Sequence, residues 1–86
     1  MRLLPVRRTE LSVFDELKQI IARVAHRNEQ ELTTKTPLAS LHLDSLNWVQ
    51  VIVGVESTFD IEVDIDKMKK FVTLGDLLRH IEELME

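Results

Sequence analysis

Asp44-Ser45-Leu46-Asn47-Trp48-Val49-Gln50-Val51-Ile52-Val53-Gly54-Val55-Glu56-Ser57-Thr58-Phe59 is the most informative run in the chain. Its first residue is a good helix N-cap, because a carboxylate accepts from the free amides of a first turn. Trp48, Val51, Ile52, Val55 and Phe59 then recur at helical spacing and make one wide apolar face. Leu46, Val49 and Val53 form a second apolar stripe on another side. An ordinary bundle helix has only one such face. Two readings stay open: the second stripe packs on the bundle, or it faces solvent and meets a partner.

The flanking sequence predicts more helices. Ser12 with Asp15 three residues on resembles a capping box, and Phe14, Leu17, Ile21, Val24 and Ala25 follow at spacings of three and four. This first helix is expected to fade near Arg27-Asn28. A long polar connection runs through Thr33-Thr34-Lys35-Thr36-Pro37, where Thr36 precedes a proline and disfavours helix. Residues 60–66 read as a loop, followed by a short helical piece over residues 66–70. Thr73 with Asp76 caps a last helix, in which Leu74, Leu77, Leu78, Ile81, Leu84 and Met85 lie on one face. The expectation is an all-α fold, a four-helix bundle of three long helices and one short one.

Composition agrees. Eighty-six residues make one domain, with residues 1–11 read as a short basic tail and residues 12–86 as the folded unit. Two Gly and two Pro are too few for a turn-rich β-barrel. The net charge of −4 argues against nucleic-acid binding, which needs surplus cations facing phosphates. No apolar run is long enough to span a bilayer. The absence of cysteine excludes disulfides and Cys-type zinc sites and suits a cytoplasmic protein. From Thr36 to Asp66 there is no Lys or Arg, and Asp44, Glu56, Asp60, Glu62, Asp64 and Asp66 give this stretch a charge of −6. It is either a solvated acidic segment or a face for a basic partner.

Catalytic patterns are lacking. His42, Asp44 and Ser45 hold the residue types of a hydrolase triad, but crowded into four consecutive positions they cannot align as base, orienter and nucleophile. There is no Gly-x-Ser-x-Gly elbow and no glycine-rich phosphate loop. His26, His42 and His80 lack metal-ligand spacing and read as surface or boundary residues. Neither catalytic nor metal-binding residues are expected. Taken by itself, Asp44-Ser45 reads as a helix cap.

With its surroundings, Leu41-His42-Leu43-Asp44-Ser45-Leu46 resembles the attachment site of the acyl carrier proteins, whose signature is Asp-Ser-Leu. The resemblance covers most of the chain, about residues 12–85. Glu16-Leu17-Lys18-Gln19-Ile20-Ile21 resembles the family's first helix, and Thr36-Pro37 the end of its long loop between the first two helices. Glu56 with Phe59-Asp60-Ile61-Glu62-Val63 is similar to the end of its second helix and the loop beyond, and Phe71-Val72-Thr73-Leu74-Gly75-Asp76 to the entry of its last helix.

The resemblance implies a bundle of acyl-carrier type and a covalent 4′-phosphopantetheine on Ser45, beside Asp44. It implies a carrier of acyl thioesters in fatty-acid, lipid or specialised-metabolite synthesis, not an enzyme. Leu46, Val49, Gln50, Val53 and Glu56 would face partners. Trp48, Ile52, Val55, Phe59, Val63 and Phe71 would line the core or an acyl cavity. The partners implied are a phosphopantetheinyl transferase and acyl-transferring and synthase enzymes, met by a monomer. A phosphodiester at this place would lie at a helix N-terminus, which favours negative charge.

Two departures stand out. The family's usual Gly is His42 here, and Asn47, Gln50, Ser57 and Thr58 stand where carriers of fatty-acid synthesis often have acids. Both point to a specialised carrier serving a dedicated pathway. Two other functions compete: an aminoacyl or peptidyl carrier, and a helical adaptor whose Ser45 is never modified.

Overall fold

The computed structural model describes residues 12–86; the basic tail expected over residues 1–11 lies outside them. The first helix, α1, spans Val13–Ala25 and opens with the expected box: the Ser12 side chain accepts from the Asp15 N–H, and the Asp15 carboxylate accepts from the Ser12 N–H. Leu17, Ile20 and Ile21 are its buried residues. It stops two residues earlier than Arg27-Asn28. His26 turns left-handed at φ 56°, and the N–H groups of His26 and Arg27 both return to the Ala22 carbonyl, which ends the helical ladder.

The connection to the next helix is not simply polar coil. It contains two single 3₁₀ turns, Glu29–Glu31 and Leu38–Leu41. Leu32, Leu38 and Leu41 are buried, so the connection is pinned to the core at three points. Arg27 adds a tie by donating from its guanidinium to the Ser40 carbonyl. At the far end an antiparallel bridge pairs Pro37 with Thr73. The Leu38 N–H donates to the Val72 carbonyl at 2.9 Å, and the Leu74 and Gly75 N–H groups donate to Thr36 and Thr34 at 2.8 Å each.

Helix α2 spans Ser45–Phe59 and ends where Asp60 turns left-handed at φ 57°. Helix α3 is the short element, Ile65–Met68. It begins one residue before the expected range and ends two residues short of it. The early start is set by Asp64, whose side chain accepts from the Asp66 and Lys67 N–H groups. Beyond Met68 the Lys70 and Phe71 N–H groups return to the Lys67 and Met68 carbonyls in three-residue turns instead of continuing the helix. Helix α4 spans Leu74–Met85 behind the reciprocal Thr73–Asp76 box. The Asp76 carboxylate also accepts from Val72. These donations, from Val72 first and then Thr73, with Arg79 nearby, hold its carboxyl below its ordinary value.

Among the described residues, three long helices and a short one therefore surround a single core. Leu17 and Ile21 of α1, Val51 and Val55 of α2, and Leu74, Leu77 and Ile81 of α4 are all at most 1% exposed. Each such side chain contributes about 1.5–3 kcal/mol by leaving water. Among the described residues the chain forms no strand beyond the isolated bridge.

Candidate functional site

The site begins with the local turn chemistry before α2. The 3₁₀ turn Leu38–Leu41 closes at His42, whose N–H donates to the Ala39 carbonyl and whose backbone is left-handed at φ 53°, ψ 42°. That reversal aims the chain into Asp44, which has extended backbone and caps α2. The Asp44 carboxylate accepts from the Asn47 N–H at 2.8 Å, while the Asn47 side-chain oxygen accepts from the Asp44 N–H at 3.5 Å. Ser45 is thereby the first helical residue. It is exposed, and no hydrogen bond among the described residues engages its hydroxyl.

Next to Ser45 opens a cavity of about 480 Å³. Ser45, His42 and Lys69 supply the hydrophilic part of its boundary, and Trp48, Ile52, Met68 and Phe71 are prominent in its apolar wall. Its size falls in the usual range for small-molecule pockets, about 300–1,000 Å³.

The expected cavity residues divide. Trp48, Ile52 and Phe71 line the opening. Val55 and Val63 do not, being buried in the core at 1% and 8% exposure. Phe59 is half-buried against that core and also outside the cavity lining. A helical wheel gives direction but not depth, and these three sit further along α2 and its loop than the cavity reaches. Leu38, Leu43, Ile65 and Met68 line it without having been singled out. Leu38 and Leu43 belong to an irregular segment where periodicity carries no signal, whereas Met68 lay within the expected short helix.

On the outer side of α2 the second stripe faces solvent: Leu46, Val49 and Val53 are 66%, 53% and 55% exposed. Val49 also edges the cavity, and Gln50 is exposed beside it. Glu56 is different. It is half-buried, and its carboxylate accepts from the Val63 N–H at 2.9 Å, tying the loop back onto α2. Three of the six carboxylates in the acidic stretch thus bind backbone amides: Asp44, Glu56 and Asp64.

His80 departs from the surface or boundary position expected of it. It is 5% exposed on the inner side of α4, where its Nε2 accepts from the Asp64 N–H at 3.3 Å. His26 and His42 are exposed. Among the described residues no three His, Asp or Glu side chains gather into a metal-binding group.

Comparison with known proteins gives the same pattern a family. The model of the phosphopantetheine attachment site matches residues 15–81. The acyl carrier protein of Wolinella succinogenes is 29% identical over 73 residues, covering 84% of this chain and 96% of that protein. The acyl carrier protein of Streptococcus pneumoniae is 33% identical over 73 residues, covering 85% of this chain and 96% of its own length. The solution structure of holo acyl carrier protein from Geobacter metallireducens superposes with a TM-score of 0.71 at 25% identity, covering 87% of each chain.

Proposed function

The chain belongs to the phosphopantetheine attachment-site family, and from that premise we propose that it carries acyl groups as thioesters on a 4′-phosphopantetheine arm attached at Ser45. The observation that carries this is the coincidence at one residue: an exposed hydroxyl with no hydrogen bond among the described residues, at the first position of a capped helix, on the rim of an apolar cavity.

The residues present fit the group. Ser45 supplies the oxygen for the phosphodiester, and the free amides and dipole of the first turn of α2 favour its negative charge. Asp44 fixes that turn through Asn47. The hydroxyl needs no base in this chain, because the modifying transferase activates it. When bound, the arm supplies the thiol on which cargo is held, and this chain contains no cysteine of its own. Trp48, Ile52, Met68 and Phe71 offer the apolar shelter an acyl chain would use. The chain's part is to present, shelter and release, and the bond-making belongs to its partners.

Those partners are a phosphopantetheinyl transferase and the acyl-transferring and synthase enzymes of one biosynthetic route. Leu46, Val49, Val53 and Gln50 form the face they meet, since this part of α2 is apolar or neutral and open to solvent. An uncharged face distinguishes it from a surface built for strongly basic docking patches and suits a dedicated pathway. Among the described residues no helix is long and apolar enough to cross a membrane. The reading places a monomer in the cytoplasm, exchanging partners through small contact areas.

The test is loading. Holo protein is offered an acyl-activating enzyme with fatty acids and, separately, aminoacyl-adenylating enzymes. Acyl thioester on the wild type, absent from Ser45→Ala, is the expected result. Loading with amino acids alone would make it an aminoacyl carrier. Full activity of Ser45→Ala in the host would make it an adaptor.

A further inference from the structure

The cavity has one wall that is poorly supported by its own secondary structure. Ile65, Met68, Lys69 and Phe71 all lie on the segment of residues 64–71. Its helix, α3, is four residues long, too short to hold its shape without tertiary contacts. The residues flanking the segment are tied elsewhere: the Val63 N–H to Glu56 and the Val72 N–H to Asp76. Both ends of the wall itself meet one side chain. At the start, the Asp64 N–H donates to His80 Nε2 at 3.3 Å. At the end, the Phe71 ring lies 5.4 Å from the His80 ring, tilted by 57°. His80 is 5% exposed and fixed on the rigid α4, between Leu77 and Ile81 of the core.

Resting on the reading of the cavity as the cargo site, we propose that His80 is a latch that sets the cavity's width. It is a positioning residue: it touches no cargo, and it acts by holding Asp64 and Phe71 together against α4. Releasing it frees the wall to swing about its anchored flanks at Val63 and Val72. The imidazole suits the task because one ring offers both an acceptor for the amide and an aromatic face for Phe71.

Two variants separate the two functions of the ring. His80→Phe keeps an aromatic partner for Phe71 and removes the acceptor. His80→Gln keeps an acceptor within reach and removes the ring. Thermal unfolding first establishes that both fold. Amide hydrogen exchange on the protein without cargo then reads the latch directly. His80→Phe should speed exchange at residues 64–71 by about three- to tenfold, the equivalent of one neutral hydrogen bond, with α2 core amides unchanged. His80→Gln should restore protection at Asp64. Exchange in the segment unchanged in His80→Phe, or raised equally throughout the molecule, would overturn the latch.

Cargo is read separately, by hydroxylamine cleavage of an octanoyl and an acetyl thioester on the holo protein. The wild type should protect octanoyl over acetyl, and His80→Phe should lose that advantage by about the same three- to tenfold. Equal cleavage of the two thioesters in the wild type would refute the cavity reading, and with it any role of His80 in cargo, whatever the exchange shows.

Discussion

Replacing His42 by glycine should stabilise the protein, although it removes a side chain from the attachment loop. His42 sits at φ 53°, ψ 42°, in the left-handed region. For an L-residue with a Cβ that conformation costs about 1–2 kcal/mol. Glycine adopts it freely but loses about 0.5–1 kcal/mol more backbone entropy on folding. The imidazole is exposed, so little packing is lost. At the middle of each range the balance is a gain of about 0.75 kcal/mol. For a domain of this size that raises Tm by about 3–6 °C. Urea unfolding should show a higher midpoint with the same slope. His42→Ala is the control: it removes the imidazole but keeps the Cβ, and should give no gain. A Tm that falls in His42→Gly, or rises equally in both variants, would refute the backbone argument. The same substitution restores the residue usual in the family, so the transferase should modify His42→Gly at least as fast as wild type.

Other outcomes follow from the same geometry. Gly75→Ala should destabilise by about 1–3 kcal/mol in chemical denaturation, because its Cβ would lie 2.8 Å from the Thr34 carbonyl oxygen, a backbone atom that cannot turn away. Gly54→Ala meets the Ile20 side chain at 3.1 Å, and better helix propensity of about 1 kcal/mol offsets that crowding, so its Tm should stay near wild type. Asp76 has a carboxyl held below its ordinary value by the Val72 and Thr73 amides. The unfolded chain therefore binds this proton more readily, so its contribution is present above the ordinary carboxylate value of 3.8 and is lost as pH falls through the lower folded value. Asp76→Asn should accordingly flatten the acid limb of a plot of Tm against pH, and an unchanged acid limb would contradict the assignment.

How much the sequence reveals depends on whether a feature is periodic or local. The helix starts are readable because Ser12, Asp44 and Thr73 are good caps with polar partners three residues on. Helix ends are harder. His26 and Asp60 end helices in left-handed conformations usually given to glycine, and neither residue type announces it. Leu32, Leu38 and Leu41 anchor the long connection through irregular turns, where no repeat marks them as core. Glu56 shows the limit of charge counting, since one of its carboxylate oxygens already accepts from the Val63 amide. His80 lies three residues after Leu77 and next to Ile81, so its place on the buried face was available from spacing. Its hydrogen bond to Asp64 was not, because nothing in the sequence brings two residues so far apart together. At the candidate site, the exposure of Ser45 follows from its place at a capped helix start. The cavity's extent depends on how α2, α3 and the long connection meet in three dimensions.

The attachment of the arm is the claim on which the rest depends. The most direct measurement is intact mass after incubation with coenzyme A and a broad-specificity phosphopantetheinyl transferase, for wild type, Ser45→Ala and His42→Gly. The account predicts a gain of one phosphopantetheine on wild type and His42→Gly, and none on Ser45→Ala. A gain that persists in Ser45→Ala, or no gain on either wild type or His42→Gly with several transferases, would contradict it.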